Sequence, residues 1–201
     1  MNRVKHSRRR FLRNSVTASA GVWAVPTALT AGTTADSDNN LEVGLPKSSL
    51  LTPALCVDLD KLEDNLDTMQ NTVSSNGIGV RPHTKTHKCP AIAHLQMERG
   101  AVGICTAKLT EAEVMFEHGL RQILLPTVNV STAKIRRAMQ LRKRCDGFIQ
   151  AVDTEGNARE LNDAAREAGI IADVTVDVDP GGHRSGTVSY THLTLPTSDL
   201  V

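Results

Sequence analysis

The chain has 201 residues, with 23 Lys and Arg, 22 Asp and Glu, four Cys and five aromatic residues. Its charges are unevenly placed, because residues 1–35 hold six basic side chains and no acid, whereas residues 36–187 hold 17 basic and 21 acidic side chains. This acidic body, whose aromatic residues are Phe116 and Phe148, has neither the basic surface nor the stacking platform that nucleic-acid binding requires. A nucleic-acid partner is therefore not expected.

The first 35 residues have the pattern of an export signal. Residues 7–13 read Ser-Arg-Arg-Arg-Phe-Leu-Arg, a twin-arginine pattern, and an uncharged stretch follows over residues 14–35. That stretch is too polar for a membrane-spanning helix, which needs ~20 mostly apolar residues. We expect a twin-arginine signal peptide, cleaved near Ala31 or Ala35, and a periplasmic protein; a disordered basic tail is the alternative.

A polar linker over residues 36–50 precedes alternating helical and strand patterns. Asp60 is expected to cap the first helix, and Pro90 suits the first position of the second helix. The predicted helices after the first span residues 90–100, 109–118, 131–144 and 154–168. The predicted strands span residues 80–86, 101–106, 122–125, 147–152 and 173–178.

Five strand–helix steps at a spacing of roughly 20–25 residues predict an α/β fold with a parallel sheet. A doubly wound sheet and a (β/α)8 barrel both fit this rhythm. A complete barrel needs about 250 residues, so residues 51–187, which follow the linker, would supply only an incomplete barrel domain of about five strands.

The last residues differ in pattern from everything before them. Residues 188–197 back-translate without a mismatch to a transposase adapter that is used in sequencing libraries. We expect residues 188–201 to be an artefact, the natural sequence to leave the printed one near Thr187, and the natural protein to continue further. A genuine strand with alternating Thr and Leu is the alternative.

The stretch with the clearest chemistry is Arg-Pro-His-Thr-Lys-Thr-His-Lys at residues 81–88. On a strand His83, Lys85 and His87 would share a face, and the two imidazoles would lie ~13 Å apart, too far for one metal ion. Crowding by neighbouring positive charges lowers an ammonium pKa, and a neutral lysine amine is what a Schiff base requires. A solvated basic turn is the other interpretation.

Residues 82–88, Pro-His-Thr-Lys-Thr-His-Lys, resemble the lysine motif of the D-threonine aldolase and D-serine dehydratase family. The likeness continues in Thr-Pro-Ala-Leu at residues 52–55 and in Gly-Ala-Val-Gly-Ile-Cys at residues 100–105. The family implies an alanine-racemase-type N-terminal barrel and pyridoxal 5'-phosphate. By this resemblance Lys85 forms the internal aldimine at the end of the first barrel strand, and His83 and His87 are cofactor neighbours.

Residues 177–186 resemble the same family's strand-end loop, Asp-x-Gly-x-x-Arg-x-Gly. The resemblance implies that Arg184 approaches the phenolic oxygen of the cofactor. An arginine cannot lose its proton, so Arg184 would hold that oxygen negative and fix the orientation of the ring.

The four cysteines show no CxxC spacing and are expected to be mostly buried structural thiols, although a disulfide stays open in a periplasmic protein. They are Cys56, Cys89, Cys105 and Cys145. No metal site is predicted within the printed sequence.

The resemblance implies a lyase that acts on a small D-amino acid with a β-hydroxyl group through a Lys85 Schiff base. It further implies a divalent metal whose ligands lie beyond residue 187, no membrane span and a homodimer. An amino-acid racemase and a non-catalytic pyridoxal-phosphate carrier are the alternatives.

If the leader is a twin-arginine signal, changing both Arg8 and Arg9 to Lys in the complete gene abolishes export, because the transporter reads the arginine pair. Fractionation of cells followed by immunoblotting should then find the variant in the cytoplasm and the wild type in the periplasm. Unchanged periplasmic recovery of the variant would show that another signal directs export.

Overall fold

The structure is a computed structural model, and it describes residues 46–188. The predicted signal peptide of residues 1–35, most of the predicted linker and all but the first residue of the predicted artefact lie outside the described residues. The chain divides into two compact units, Met1–Asn65 and Leu66–Val201, and the division falls within the first α helix.

The described part of the first unit holds a 3-10 turn, Lys47–Ser49, and the start of helix α1, Leu59–Ser75. The amide of Lys61 donates a 3.3 Å hydrogen bond to Oδ1 of Asp58, which is the position of a helix N-cap. Asp60, the predicted cap, lies instead in the first turn of the helix. The cap prediction is wrong because Asp58 also carries a carboxylate, and Asp58 immediately precedes the helix.

The second unit is built on a parallel sheet with the strand order β1-β2-β3-β4. Its strands are β1 (Ile104–Cys105), β2 (Ile123–Leu125), β3 (Phe148–Val152) and β4 (Asp173–Val176). Helix α2 (Pro90–Glu98) precedes β1. The strands are then connected in turn by α3 (Leu109–Glu117), α4 (Thr132–Arg144) and α5 (Glu155–Ala168). The predicted α/β class with a parallel sheet is confirmed.

Local signals in the sequence set the ends of the helices. Pro90 is the first residue of α2, where its missing N–H costs nothing. The side chain of Thr154 caps α5 by accepting a hydrogen bond from the amide of Asn157. Gly169 ends α5 in the left-handed conformation, at φ 68°. These predicted boundaries are confirmed.

A hydrophobic core lies between the sheet and the helices. The strands contribute Ile104, Ile123 and Phe148, each at most 1% exposed. Helices α3 and α4 contribute Met115 and Met139, which are similarly buried. Burial of each such side chain stabilises the fold by roughly 1.5–3 kcal/mol, so this layer holds the strands and helices in register.

The first predicted strand, residues 80–86, is largely absent. A single parallel bridge joins His83 to Cys105, and residues 84–87 form a turn. The turn is favoured because the amide of Lys88 donates to the carbonyl of Thr84 at 2.7 Å, which closes the backbone on itself.

The last predicted strand, residues 173–178, also ends early. The amide of Asp177 donates to the carbonyl of Val152, after which β5 (Val178–Asp179) leaves the main sheet and pairs in parallel with β6 (Thr187–Val188). All four residues of β4 are exposed. Within residues 46–188 no helix has the length and apolar character needed to cross a bilayer.

Gly103 shows how closely the strands approach. A Cβ atom at this position would overlap the guanidinium of Arg81 and lie 2.7 Å from the backbone oxygen of Gln122. We expect Gly103→Ala to lower the free energy of unfolding by roughly 1–3 kcal/mol, as overpacking does. Equilibrium urea unfolding of the complete protein measures this change.

Gly156→Ala is the matched control for this prediction. Gly156 lies in the first turn of α5, and a Cβ atom there meets nothing within 4 Å. The control should raise the free energy of unfolding by about 0.4–1 kcal/mol, because alanine restricts the unfolded chain more than glycine does. Equal effects of the two substitutions would contradict the close approach at Gly103.

Candidate functional site

The turn that carries Lys85 is fixed at its first residue. Thr84 is 1% exposed, and both its amide and its hydroxyl donate to the carbonyl oxygen of Cys105, at 2.8 and 2.9 Å. Cys105 is the last residue of β1, so the turn is tied to the carboxyl end of this strand. Loops at this end of parallel strands are where α/β proteins bind ligands.

Two histidines shape the same turn. Nδ1 of His83 accepts a hydrogen bond from the amide of Lys85 at 3.3 Å, and Nδ1 of His87 accepts one from the amide of Cys89 at 3.0 Å. Each imidazole therefore serves as an acceptor for the backbone two residues later, which requires an unprotonated Nδ1.

Burial lowers the pKa of both histidines. For His83 the positive charge of Lys85 lowers the pKa further, which places the two side chains close enough to interact. For His87, the neighbouring Gln96 side chain and the hydrogen bond from the Cys89 backbone act against burial without reversing its effect on the pKa. Both imidazoles are thus held neutral, as their hydrogen bonds demand.

The sequence-based argument against a metal site assumed that His83 and His87 lie on an extended strand. That assumption is wrong, because residues 84–87 form a turn. Residues 46–188 contain no group of three or more His, Cys, Asp or Glu side chains that could hold a metal ion.

The two lysines of the turn differ in their partners. Nζ of Lys88 lies 3.3 Å from Oε1 of Glu111, in the first turn of α3. The Lys85 side chain is exposed, and the structure shows no hydrogen bond or ion pair for its amine within the described residues. Lys85 therefore presents an amine that is available to a ligand.

Glu111 was not identified as a site residue from the sequence. A glutamate three residues after the N-cap of a predicted helix signals a reach back to the preceding backbone. This pattern predicts the hydrogen bond that the Glu111 carboxylate accepts from the amide of Ala107, at 2.9 Å. It does not predict the ion pair between Glu111 and Lys88.

The Arg184 loop follows the sheet strand β4, whose carboxyl end lies at the same edge as the Lys85 turn. The carboxylate of Asp179 organises this loop by accepting hydrogen bonds from the amides of Gly181 and His183 at 2.9 and 3.0 Å, which lowers its pKa. Arg184 is exposed. Within the described residues, no hydrogen bond or ion pair joins Arg184 to Lys85, so their shared role stays a prediction.

The cysteines only partly match the prediction. All four thiols are free: Cys145 is buried, Cys89 and Cys105 are half-buried, and Cys56 is exposed. The expected burial is wrong for Cys56, because residues 51–58 form exposed irregular chain instead of a covered element. Burial raises the pKa of the Cys105 thiol, so this group beside His83 is held protonated.

The donor set at this edge of the sheet fits pyridoxal phosphate. The cofactor needs a lysine amine for covalent attachment, which Lys85 offers without a competing partner among the described residues. It also carries a phenolic oxygen and a phosphate, and the exposed guanidinium of Arg184 is a permanent cation for such an anion.

Known proteins are similar to this chain in sequence. The chain is 36% identical over 138 residues to D-threo-3-hydroxyaspartate dehydratase from Delftia sp. (strain HT23), covering 69% of this chain and 36% of the relative. It is 37% identical over 143 residues to D-threonine aldolase from Arthrobacter sp, covering 71% and 38%. The chain thus spans less than two fifths of the length of these curated relatives.

The fold also resembles a solved structure of this group. The crystal structure of D-threonine aldolase from Filomicrobium marinum matches with a TM-score of 0.66 and 43% identity, covering 68% of this chain and 37% of that chain. Residues 57–195 match the family described as alanine racemase, N-terminal domain. The chain therefore belongs to the alanine racemase N-terminal domain family, in the group that resembles D-threonine aldolase.

Proposed function

We propose that this protein is a pyridoxal-phosphate-dependent lyase that acts on a small D-amino acid with a β-hydroxyl group. The observation that carries the proposal is the contrast between the two lysines of the turn. Lys88 is paired with Glu111, whereas the Lys85 amine is exposed at the carboxyl edge of the sheet. We assign the covalent attachment of the cofactor to Lys85.

The names of the matched proteins support the reaction class. One is an aldolase and one is a dehydratase, and their names give D-threonine and D-threo-3-hydroxyaspartate, two D-amino acids that carry a β-hydroxyl group. Aldol cleavage would break the bond between Cα and Cβ, whereas dehydration would remove the β-hydroxyl group. The proposal covers both outcomes, and product analysis separates them.

The residues of the turn then have distinct tasks. When bound, the cofactor supplies an electron sink for the bonds at the substrate's α carbon. Lys85 would hold the cofactor through its Nζ, and the same amine would carry a proton when it is not attached to the cofactor. His83 and His87 stay neutral and hold the backbone of the turn. Arg184 keeps the phenolic oxygen negative.

Three further parts of the proposal concern the whole protein. A divalent metal that orients the substrate hydroxyl would use ligands other than the described residues, which contain no suitable cluster. Homodimer formation and periplasmic export through the leader complete the proposal. The family resemblance and the arginine pattern of residues 7–13 support them.

Lys85→Ala in the complete protein should abolish the visible absorption of the covalently held cofactor and reduce turnover by several orders of magnitude. An alanine side chain has no amine to attach the cofactor. Borohydride reduction of the wild type followed by peptide mapping should place the pyridoxyl mass on Lys85. Assay of glycine plus aldehyde against keto acid plus ammonia then identifies the reaction.

Lys108→Ala is the control for the loss of a positive charge. Lys108 is exposed at the N-cap of α3 and makes no side-chain cap hydrogen bond, so this variant should keep both the band and the activity. A label on Lys88, or on no lysine of the turn, would overturn the assignment of Lys85.

The neutral histidines predict a pH dependence of stability. Folding lowers the pKa of His83 and His87 below 6.5, so the unfolded chain takes up protons first as the pH falls. Their contribution to the free energy of unfolding is complete above pH 6.5 and declines as the pH falls from 6.5 toward the folded-state pKa values. Urea midpoints measured between pH 8 and 5 test this decline.

The matched variant replaces both His83 and His87 with Gln, which cannot titrate. Its midpoints should depend less on pH over the same interval than those of the wild type. A pH slope identical to that of the wild type would show that other groups control the decline.

A further inference from the structure

The turn that carries Lys85 is held at both ends. At its start, Thr84 donates twice to the carbonyl of Cys105. At its end, Nζ of Lys88 lies 3.3 Å from Oε1 of Glu111. Lys85 follows the first anchor directly and lies three residues before the second. The position of its backbone therefore depends on both anchors.

Glu111 is itself firmly placed. Its side chain is 13% exposed, and Oε2 accepts the amide hydrogen of Ala107 at 2.9 Å, in the segment between β1 and α3. Burial acts to raise the pKa of Glu111, but hydrogen bonds from the Ala107 amide and from Lys88 outweigh it and lower the pKa below its usual value. One carboxylate thus links the Lys85 turn to the segment after β1.

Lys88 has an unusual backbone for a lysine. Its φ is 49°, in the left-handed region that residues other than glycine seldom adopt. Its side chain is 60% exposed, and exposed ion pairs add little to global stability. The backbone conformation of Lys88 is unfavourable, and its ion pair with Glu111 adds little to the free energy of unfolding. We therefore attribute to this ion pair the placement of the turn.

We infer that Glu111 is a positioning residue for Lys85, acting through Lys88 to fix the turn from which the cofactor is held. The inference rests on the proposed function, because it needs Lys85 to be the residue that carries the cofactor. It adds a specific role for a carboxylate that does not touch the Lys85 amine.

Glu111 makes two contacts, a hydrogen bond with the Ala107 backbone and an ion pair with Lys88, and two substitutions separate their effects. Glu111 occupies the third position of α3, where glutamate and glutamine both reach back to the preceding backbone. Glu111→Gln therefore keeps the hydrogen bond with Ala107 and removes the charge that Lys88 faces. Lys88→Gly removes the amine while adopting the positive φ without steric cost.

The test is a titration of the cofactor-free complete protein with pyridoxal phosphate. Borohydride trapping and peptide mapping measure the fraction of Lys85 that is covalently occupied at each concentration. Both variants should require on the order of tenfold more cofactor for half occupancy, the equivalent of one charge-assisted hydrogen bond. Combining the two substitutions should have no larger effect than either alone, because they remove the same ion pair.

Glu113→Gln is the control. Glu113 lies two residues further along α3 and pairs with Arg137, away from the turn, so its removal should leave the titration at the wild-type value. Thermal unfolding of each variant is measured in parallel. The Tm of Glu111→Gln should stay near that of Glu113→Gln.

The outcomes distinguish the two hypotheses. Occupancy of Lys85 at the wild-type value in Glu111→Gln and Lys88→Gly would overturn the positioning role and leave the proposed function intact. Additive effects of the two substitutions, or an equal effect of Glu113→Gln, would also overturn it. A wild-type protein that takes no label at Lys85 would overturn the proposed function, and the positioning role with it.

Discussion

Two hydrogen bonds from Thr84 to the carbonyl oxygen of Cys105 determine where the Lys85 turn begins. Thr84 is almost fully buried, and these bonds satisfy both its amide and its hydroxyl donor. Leaving either donor without an acceptor would cost free energy, so the start of the turn stays at Cys105. Cys105 in turn belongs to β1, whose place is set by the parallel ladder with β2. The Lys85 turn is therefore attached to the sheet at the carboxyl end of β1.

The apolar layer beneath the sheet makes this attachment effective. Ile104, Ile123 and Phe148 pack against α3 and α4 and keep the carboxyl ends of their strands in register. A loop on such a rigid base holds its side chains closely, and even a 1 Å displacement of a reacting group can cost on the order of 100-fold in rate. The helices thus contribute to chemistry without touching the site.

Charge is distributed around the turn so that the two lysines behave differently. Glu111 compensates Lys88, while the described residues place no carboxylate within ion-pair distance of Lys85. His83 and His87 are neutral and use Nδ1 to accept hydrogen bonds from the backbone, so they shape the turn without adding charge. This division of roles leaves one amine for an electrophilic cofactor and one cation for the scaffold.

The sequence by itself determined the α/β class, the helices and the family resemblance. Helices are set by caps such as Thr154 and Gly169 and by the spacing of apolar residues. These signals act within a few residues of the chain, so they can be identified from the sequence alone. Residues 84–87 turn because the amide of Lys88 bonds to the carbonyl of Thr84, and only the tertiary structure places Thr84 against Cys105, 21 residues along the chain. The tertiary structure also decided the partner of Lys88, since an ion pair between a turn and a later helix exists only when packing brings them together.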